Sequence, residues 1–119
     1  MMDKHTKTLD QLLRHPSLIN IQDVVWAAKE PQCFYDGLFV EPDLLIRSRG
    51  YYRPFFVIEY KSSGAHRDKA IDQLRRAEDF LYEHFGDDCY KLLVTPRGSH
   101  KPIGFNVEYI DGIPERINE

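Results

Sequence analysis

Two short strings carry the residue types that could do chemistry in this chain. Pro42-Asp43 leads into the apolar run 44–46, and Glu59-Tyr60-Lys61 closes the apolar run 55–58. Residues two apart in a strand project from the same face, so Glu59 and Lys61 are expected side by side. Two carboxylates at neighbouring strand ends are hard-oxygen ligands that suit Mg²⁺ or Mn²⁺. The backbone carbonyl of Tyr60 would supply a third oxygen, and Lys61 would orient the attacking water.

The elements that must position these residues follow from apolar periodicity and from turn residues. Helices are predicted over three ranges: Thr8–Arg14, Ile21–Lys29 (capped by Ser17 or Asn20) and Arg67–Phe85. Strands are predicted over five ranges: Cys33–Val40 (bent near Asp36-Gly37), Asp43–Arg47, Pro54–Lys61, Tyr90–Thr95 and Gly104–Ile110. The long helix between two strands implies a parallel pair joined by a right-handed crossover. The chain is therefore predicted to form an α/β domain with a mixed sheet flanked by helices.

Together, Pro42-Asp43, the following hairpin and Glu59-Tyr60-Lys61 resemble the PD-(D/E)xK nuclease superfamily. The run 56–63 is similar to the metal-site strand of small archaeal Holliday-junction resolvases. The resemblance implies a restriction-endonuclease-like αβββαβ core and a Mg²⁺-dependent deoxyribonuclease in which Mn²⁺ can substitute. It assigns catalytic roles to Asp43, Glu59 and Lys61, and metal binding to the two acids and the Tyr60 carbonyl. Gln73 is a fourth candidate catalytic residue, because it matches a glutamine that faces the site in exonuclease-like members. Their tyrosine four residues later is Ala77 here.

Many members of the superfamily also carry a glutamate on the helix before the first strand. Four upstream acids are candidates to complete the site: Asp23, Glu30, Asp36 and Glu41. Glu30 ends the predicted second helix and is a further candidate metal ligand. The sequence leaves the choice among the four open.

Positive charge is concentrated around these motifs, although the net charge of the chain is −3. Residues 47–76 hold eight Lys and Arg against three Asp and Glu, and both flanking segments are acidic. A local positive field attracts a phosphate backbone, so DNA is the expected partner. The alternative is a solvated helix face beside a charged hairpin. The candidate nucleic-acid-binding residues are Arg47, Arg49, His66, Arg67, Lys69, Arg75 and Arg76.

The bulk properties favour one intracellular domain over residues 1–119. No apolar stretch approaches the roughly 18 residues of a membrane span, and the N-terminus does not resemble a secretory signal. Cys33 and Cys89 are therefore expected to be reduced and partly buried, in a cytoplasmic protein. A symmetric homodimer would present two sites to a four-way junction.

Two functions from different classes fit these observations. The first is a metal-dependent DNA nuclease, with a structure-specific endonuclease of the Holliday-junction resolvase type as its narrower form. The second is a catalytically inactive nucleic-acid-binding or assembly module, in which Glu59 and Lys61 form an ion pair on a wet face of the sheet. The presence of Asp43 together with Glu59 and Lys61 favours the nuclease. An inactive site has no need of two neighbouring acids, which repel each other.

Overall fold

A computed structural model describes residues 4–35, 38–61, 67–94 and 107–110. The helices are α1 (Lys4–Arg14) and α2 (Arg67–Phe85), and a 3₁₀ turn (Pro16–Ile19) follows α1. The strands are β1 (Val24–Lys29), β2 (Cys33–Tyr35), β3 (Leu38–Val40), β4 (Leu44–Ser48), β5 (Phe55–Tyr60), β6 (Cys89–Val94) and β7 (Val107–Ile110). Neither described helix is long and apolar enough to cross a membrane.

Five strands form one mixed sheet in the order β1-β4-β5-β6-β7, and β2 and β3 form a separate antiparallel hairpin. The pairs β1·β4 and β4·β5 are antiparallel, whereas β5·β6 and β6·β7 are parallel. The predicted α/β class, the mixed sheet and the parallel pair joined through the long helix are confirmed. The order α1, β1, β4, β5, α2, β6 is also the expected αβββαβ core.

The predicted helix over Ile21–Lys29 is wrong, because residues 24–29 form the edge strand β1. Asn20 adopts φ 60° and ends the 3₁₀ turn instead of capping a helix. The apolar residues of this segment fit a helical stripe, but several are β-branched or aromatic and favour a strand. A nine-residue helix is marginal by itself, whereas pairing with β4 supplies a full ladder of hydrogen bonds.

The sheet has an apolar core on each face. On one side α1 packs with Leu9 and Leu12 against Leu44, Ile58 and their neighbours. On the other side α2 and the β2–β3 hairpin cover the central strands, with Leu74 and Leu81 fully buried. Strand β5 is buried at every position, as expected of a central strand whose run 55–58 is apolar throughout.

Helix α2 has the predicted bounds, and it runs antiparallel to β5. Gly86 ends it with φ 69°, and the Gly86 amide donates to the Tyr82 carbonyl, as at many helix C-termini. The ring of Phe85 lies 5.6 Å from that of Phe55, centroid to centroid. Because Phe55 starts β5, the N-terminal half of α2 lies toward the end of β5 that carries Glu59.

One ion pair is buried between α2 and the sheet. Lys91 of β6 is 4% exposed and bonds Glu78 of α2, whose side chain is 29% exposed. Cys33 and Cys89 are free and buried, as expected. Burial and the nearby Glu78 carboxylate raise the pKa of Cys89 to about 12, and burial also raises that of Cys33. Both thiols are therefore protonated at neutral pH and poor nucleophiles.

Candidate active site

The register of β4 and β5 places Asp43 and Glu59 opposite each other. Leu44 pairs with Ile58, so the next positions outward are the two acids. The Asp43 amide donates to Glu59 Oε1 at 3.2 Å, and the Tyr60 amide donates to Asp43 Oδ2 at 2.7 Å. Each carboxylate thus accepts a backbone hydrogen bond from the other strand. The two candidate ligands meet at one end of the sheet.

Glu59 is a buried acid beside another acid. Only 2% of the surface of Glu59 is exposed to solvent. Burial, together with the charge and hydrogen bonding of Asp43, raises the pKa of Glu59 to about 9. Lys61 opposes this shift, because its positive charge favours the carboxylate. Lys61 itself is only partly buried, and its amide donates to the Val94 carbonyl. A divalent cation bound at this position would offset the negative charges of both the Asp43 and the Glu59 carboxylates.

Helix α1 adds a residue that the sequence did not single out. His5 Nε2 lies 3.3 Å from Asp43 Oδ1, and the centres of the His5 and Tyr60 rings are 5.7 Å apart. The helix was predicted to start at Thr8, but it starts at Lys4 and so includes this histidine. The signal was the spacing: His5, Leu9 and Leu12 lie four and three residues apart and share one helical face.

The four upstream acids are placed differently. Glu30 follows β1 with φ 48°, and its amide donates to the Asp43 carbonyl, so its backbone adjoins the site while its side chain is exposed. Asp23 lies at the other end of β1, where its carbonyl accepts from the Arg49 amide, too far away to join Asp43. Glu41 is near Cys33, whose pKa it helps to raise. Asp36 lies outside the described residues.

None of the four lies on the helix before the first strand, because the segment expected to be that helix is β1. The helix in that position is α1, and the residue it brings to Asp43 is His5. Within the described ranges, no three His, Cys, Asp or Glu side chains stand together as a set of metal ligands. The register of β4 and β5 makes Asp43 and Glu59 the core of the candidate site.

Gln73 is half-buried on α2, beside the face that packs on the sheet. In the described part of the chain it makes no hydrogen bond with Asp43 or Glu59. Lys69, Arg75 and Arg76 are exposed on α2, and Arg76 pairs with Asp72 at 3.0 Å. His66 and the side chain of Arg67 lie outside the described part of the structure.

The remaining two candidates, Arg47 and Arg49, lie at the far end of β4. They are four and six residues from Asp43 along an extended chain, which corresponds to about 13 and 20 Å. Both are exposed, and the Arg47 guanidinium lies 5.5 Å from the centre of the Phe55 ring. The predicted basic surface is thus divided between α2 and the opposite end of the sheet.

The fold is similar to two solved nuclease structures. A repair endonuclease from Pyrococcus abyssi matches with a TM-score of 0.64 and 16% identity, over 93% of this chain and 47% of that chain. The apo form of EndoMS matches with a TM-score of 0.52 and 22% identity, over 81% and 38%. This chain spans less than half the length of either. Neither a protein-family model nor a curated protein matches the sequence.

Proposed function

We propose that this protein is a metal-dependent nuclease of the PD-(D/E)xK type that hydrolyses phosphodiester bonds in DNA. The observation that carries the proposal is the hydrogen-bonded pair of Asp43 and Glu59 at one end of the sheet, with Lys61 two residues on. The similarity to two endonuclease structures supports it at the level of the fold.

The two acids fit a hard divalent cation. Burial beside Asp43 raises the pKa of Glu59 to about 9, so without metal a proton suppresses the repulsion between the two acids. A bound Mg²⁺ would replace that proton and offset the charges of both carboxylates. Asp43, Glu59 and the Tyr60 carbonyl would hold the ion. Mg²⁺ usually keeps several waters and binds one or two carboxylates together with substrate phosphate, so a small protein shell is adequate. Mn²⁺ would substitute, because it accepts the same oxygen ligands.

When bound, the ion would polarise the scissile phosphate and lower the pKa of a water. Side chains of the protein would orient the water and stabilise the developing charge. Lys61 follows Glu59 on the same face of the strand, where its ammonium would orient the water and stabilise the charge that develops on the phosphate. His5 would hold Asp43 in place through Oδ1.

The DNA would lie along the N-terminal half of α2, which reaches the sheet end that carries Glu59. Lys69, Arg75 and Arg76 are exposed there and would contact phosphates. Arg47 and Arg49 lie about 13 and 20 Å from Asp43 along β4, so we assign the phosphate contacts nearest the site to α2. A double reversal, Lys69→Glu with Arg75→Glu, is expected to weaken binding to all sequences alike.

A salt titration tests this surface. The log–log slope of duplex affinity against salt should become shallower by about 0.9 for each phosphate that the variant no longer neutralises. The matched control is Arg47→Glu with Arg49→Glu, which changes charge by the same amount and should leave the slope unchanged. A slope altered only in the control pair would place the DNA at the other end of the sheet.

The narrower proposal is a structure-specific endonuclease acting as a symmetric homodimer on four-way junctions. Two sites related by a twofold axis would cut opposite strands of such a substrate. Competition between intact duplex and a four-way junction, with the oligomeric state measured by sedimentation, tests it. A monomer that binds both DNA forms equally would remove this subtype and leave the nuclease proposal intact.

A comparison of DNA cleavage by wild type and by Glu59→Gln tests the proposed nuclease activity. Wild type should cleave DNA with Mg²⁺ or Mn²⁺, and EDTA should abolish cleavage. Ca²⁺ should bind without turnover, because its looser geometry activates water less well. Glu59→Gln should fold and be inactive. DNA binding without cleavage under any metal would identify the inactive module, and equal cleavage by both proteins would indicate a contaminant.

A further inference from the structure

An apolar groove of about 720 Å³ opens on the α2 side of the sheet, and its lining extends from Pro31 and Cys33 to Arg47 and Arg49. Leu45 and Phe55 form its floor, Phe80 and Phe85 of α2 form one wall, and Val25 and Trp26 of β1 form the other. Trp26 is 47% exposed and Phe85 is 59% exposed. The register of β1 shifts between Val24 and Trp26, and this irregularity directs two successive side chains of β1 toward the groove.

The groove is bordered by a free strand edge. Strand β1 is the outermost strand of the sheet, and no described strand pairs with its outer side. The Glu30 amide bonds the Asp43 carbonyl, so the antiparallel alternation turns the backbone groups of Ala28 and Trp26 inward and those of Ala27 and Lys29 outward. Unpaired donors and acceptors of this kind are a template for another strand.

The groove has basic side chains beside its apolar floor. Arg47 and Arg49 line the end on β4, and neither forms an ion pair within the described residues. Arg47 lies across the strand from Trp26, on the same face of the sheet. The wall formed by Phe85 is the C-terminus of α2, which carries partial negative charge. The arginines therefore suit a carboxylate placed close to an apolar anchor.

We propose that β1 and this groove bind an extended peptide segment of another protein by strand addition. The peptide would pair with the outward backbone groups of Ala27 and Lys29 and insert one large apolar side chain into the groove. A carboxylate two or four residues from that anchor would then contact Arg47 or Arg49, because alternate residues of a strand share a face. This binding requires neither metal nor DNA.

Two other occupants fit the groove less well. A second copy pairing through β1 would offer Val24–Lys29, which is apolar or basic, and its acids Asp23 and Glu30 lie outside the strand. A nucleic acid could meet the arginines, but it has no peptide backbone to pair with the outward groups of Ala27 and Lys29. An extended peptide with an acidic and a large apolar residue supplies a backbone for the edge of β1, a carboxylate for the arginines and an anchor for the groove.

The experiment selects random nine-residue peptides on phage against the full chain, in parallel with its Trp26→Ala variant. Peptides that need Trp26 should combine a large apolar residue with Asp or Glu at an even spacing. The best peptide is synthesised in its acidic form and with the acid replaced by its amide. Trp26 is the single tryptophan of the chain, so its fluorescence reports occupancy of the groove directly.

Removing the interaction between carboxylate and arginine, by Arg47→Glu or by the amide peptide, should weaken binding about tenfold or more, as expected for a hydrogen bond to a charged group. Ala27→Pro should weaken it similarly, because proline removes an outward amide. Two controls outside the groove, Arg75→Glu and Tyr82→Ala, should bind within about twofold of wild type. Where Ala27→Pro does not fold, Arg47→Glu and the amide peptide decide.

Several results would overturn the proposal. These are the absence of Trp26-dependent peptides, or selected peptides that ignore both Arg47→Glu and the amide replacement. Sedimentation that shows a dimer in wild type and a monomer in Ala27→Pro would assign the edge to a second copy. A single-stranded oligonucleotide that changes Trp26 fluorescence in wild type but not in Arg47→Glu would assign the groove to nucleic acid.

Discussion

Replacing Glu59 with glutamine should stabilise the metal-free protein at alkaline pH, although it removes a candidate catalytic group. The pKa of Glu59 is raised from its usual value of 4.5 to about 9, first by burial and then by Asp43. Between these two values only the native state holds the proton, so unfolding releases it. The free energy of unfolding therefore falls as pH rises through this window. The stability that the Glu59 proton contributes to the native state is fully present only below pH 4.5.

The size of the effect follows from the slope of about 1.36 kcal/mol per pH unit for one proton. Between about pH 6 and pH 8 the wild type should lose up to about 2.7 kcal/mol relative to Glu59→Gln, which takes up no proton at this position. A chain of this length has an unfolding entropy of about 0.25 kcal/mol/K. The gap in Tm between the two proteins should therefore widen by up to about 10 °C.

Thermal unfolding by circular dichroism in EDTA, at half-unit steps from about pH 5.5 to 8.5, measures this gap. The control is Glu83→Gln, an exposed glutamate on α2, whose curve should stay parallel to that of the wild type. Parallel curves for Glu59→Gln as well would mean that Glu59 is ionised when the site is metal-free. In a separate measurement without EDTA, saturating Mn²⁺ should raise the Tm of wild type and leave that of Glu59→Gln nearly unchanged. A ligand stabilises only the state that binds it.

Three further outcomes are expected. Glu78→Gln should destabilise by about 3 kcal/mol and Lys91→Met by much less, since Lys91 is almost wholly buried and would be left unpaired; urea unfolding measures both. His5→Ala should weaken Mn²⁺ binding about tenfold by calorimetry with little change in Tm, because the imidazole orients Asp43; unchanged affinity would contradict this role. Cys33 and Cys89 should resist a thiol reagent until the protein unfolds, and rapid native labelling would contradict their raised pKa.

The parts of the fold that the sequence predicts well are those whose local pattern and final environment agree. The run 55–58 is apolar at every position and becomes a strand covered on both faces. Helix α2 combines a long apolar stripe with a glycine just past its end, and its predicted bounds are confirmed. At β1 the local pattern is compatible with helix and strand alike, and the choice depends on β4, which is distant in sequence. The apolar periodicity within the segment contains no information about its pairing with β4.

The same division holds at the candidate site. Asp43 and Glu59 follow from sequence because each is fixed by the end of a strand, and each carboxylate also accepts an amide of the opposite strand. They are thus part of the backbone ladder as well as candidate ligands. His5 comes from another element and reaches Asp43 only because α1 packs across the sheet through Leu9 and Leu12. It holds no backbone group of β4 or β5, so it is the member of the site that can be exchanged with least effect on the sheet. A change at this position should therefore alter metal binding and leave the sheet intact, whereas a change at Asp43 should disturb both.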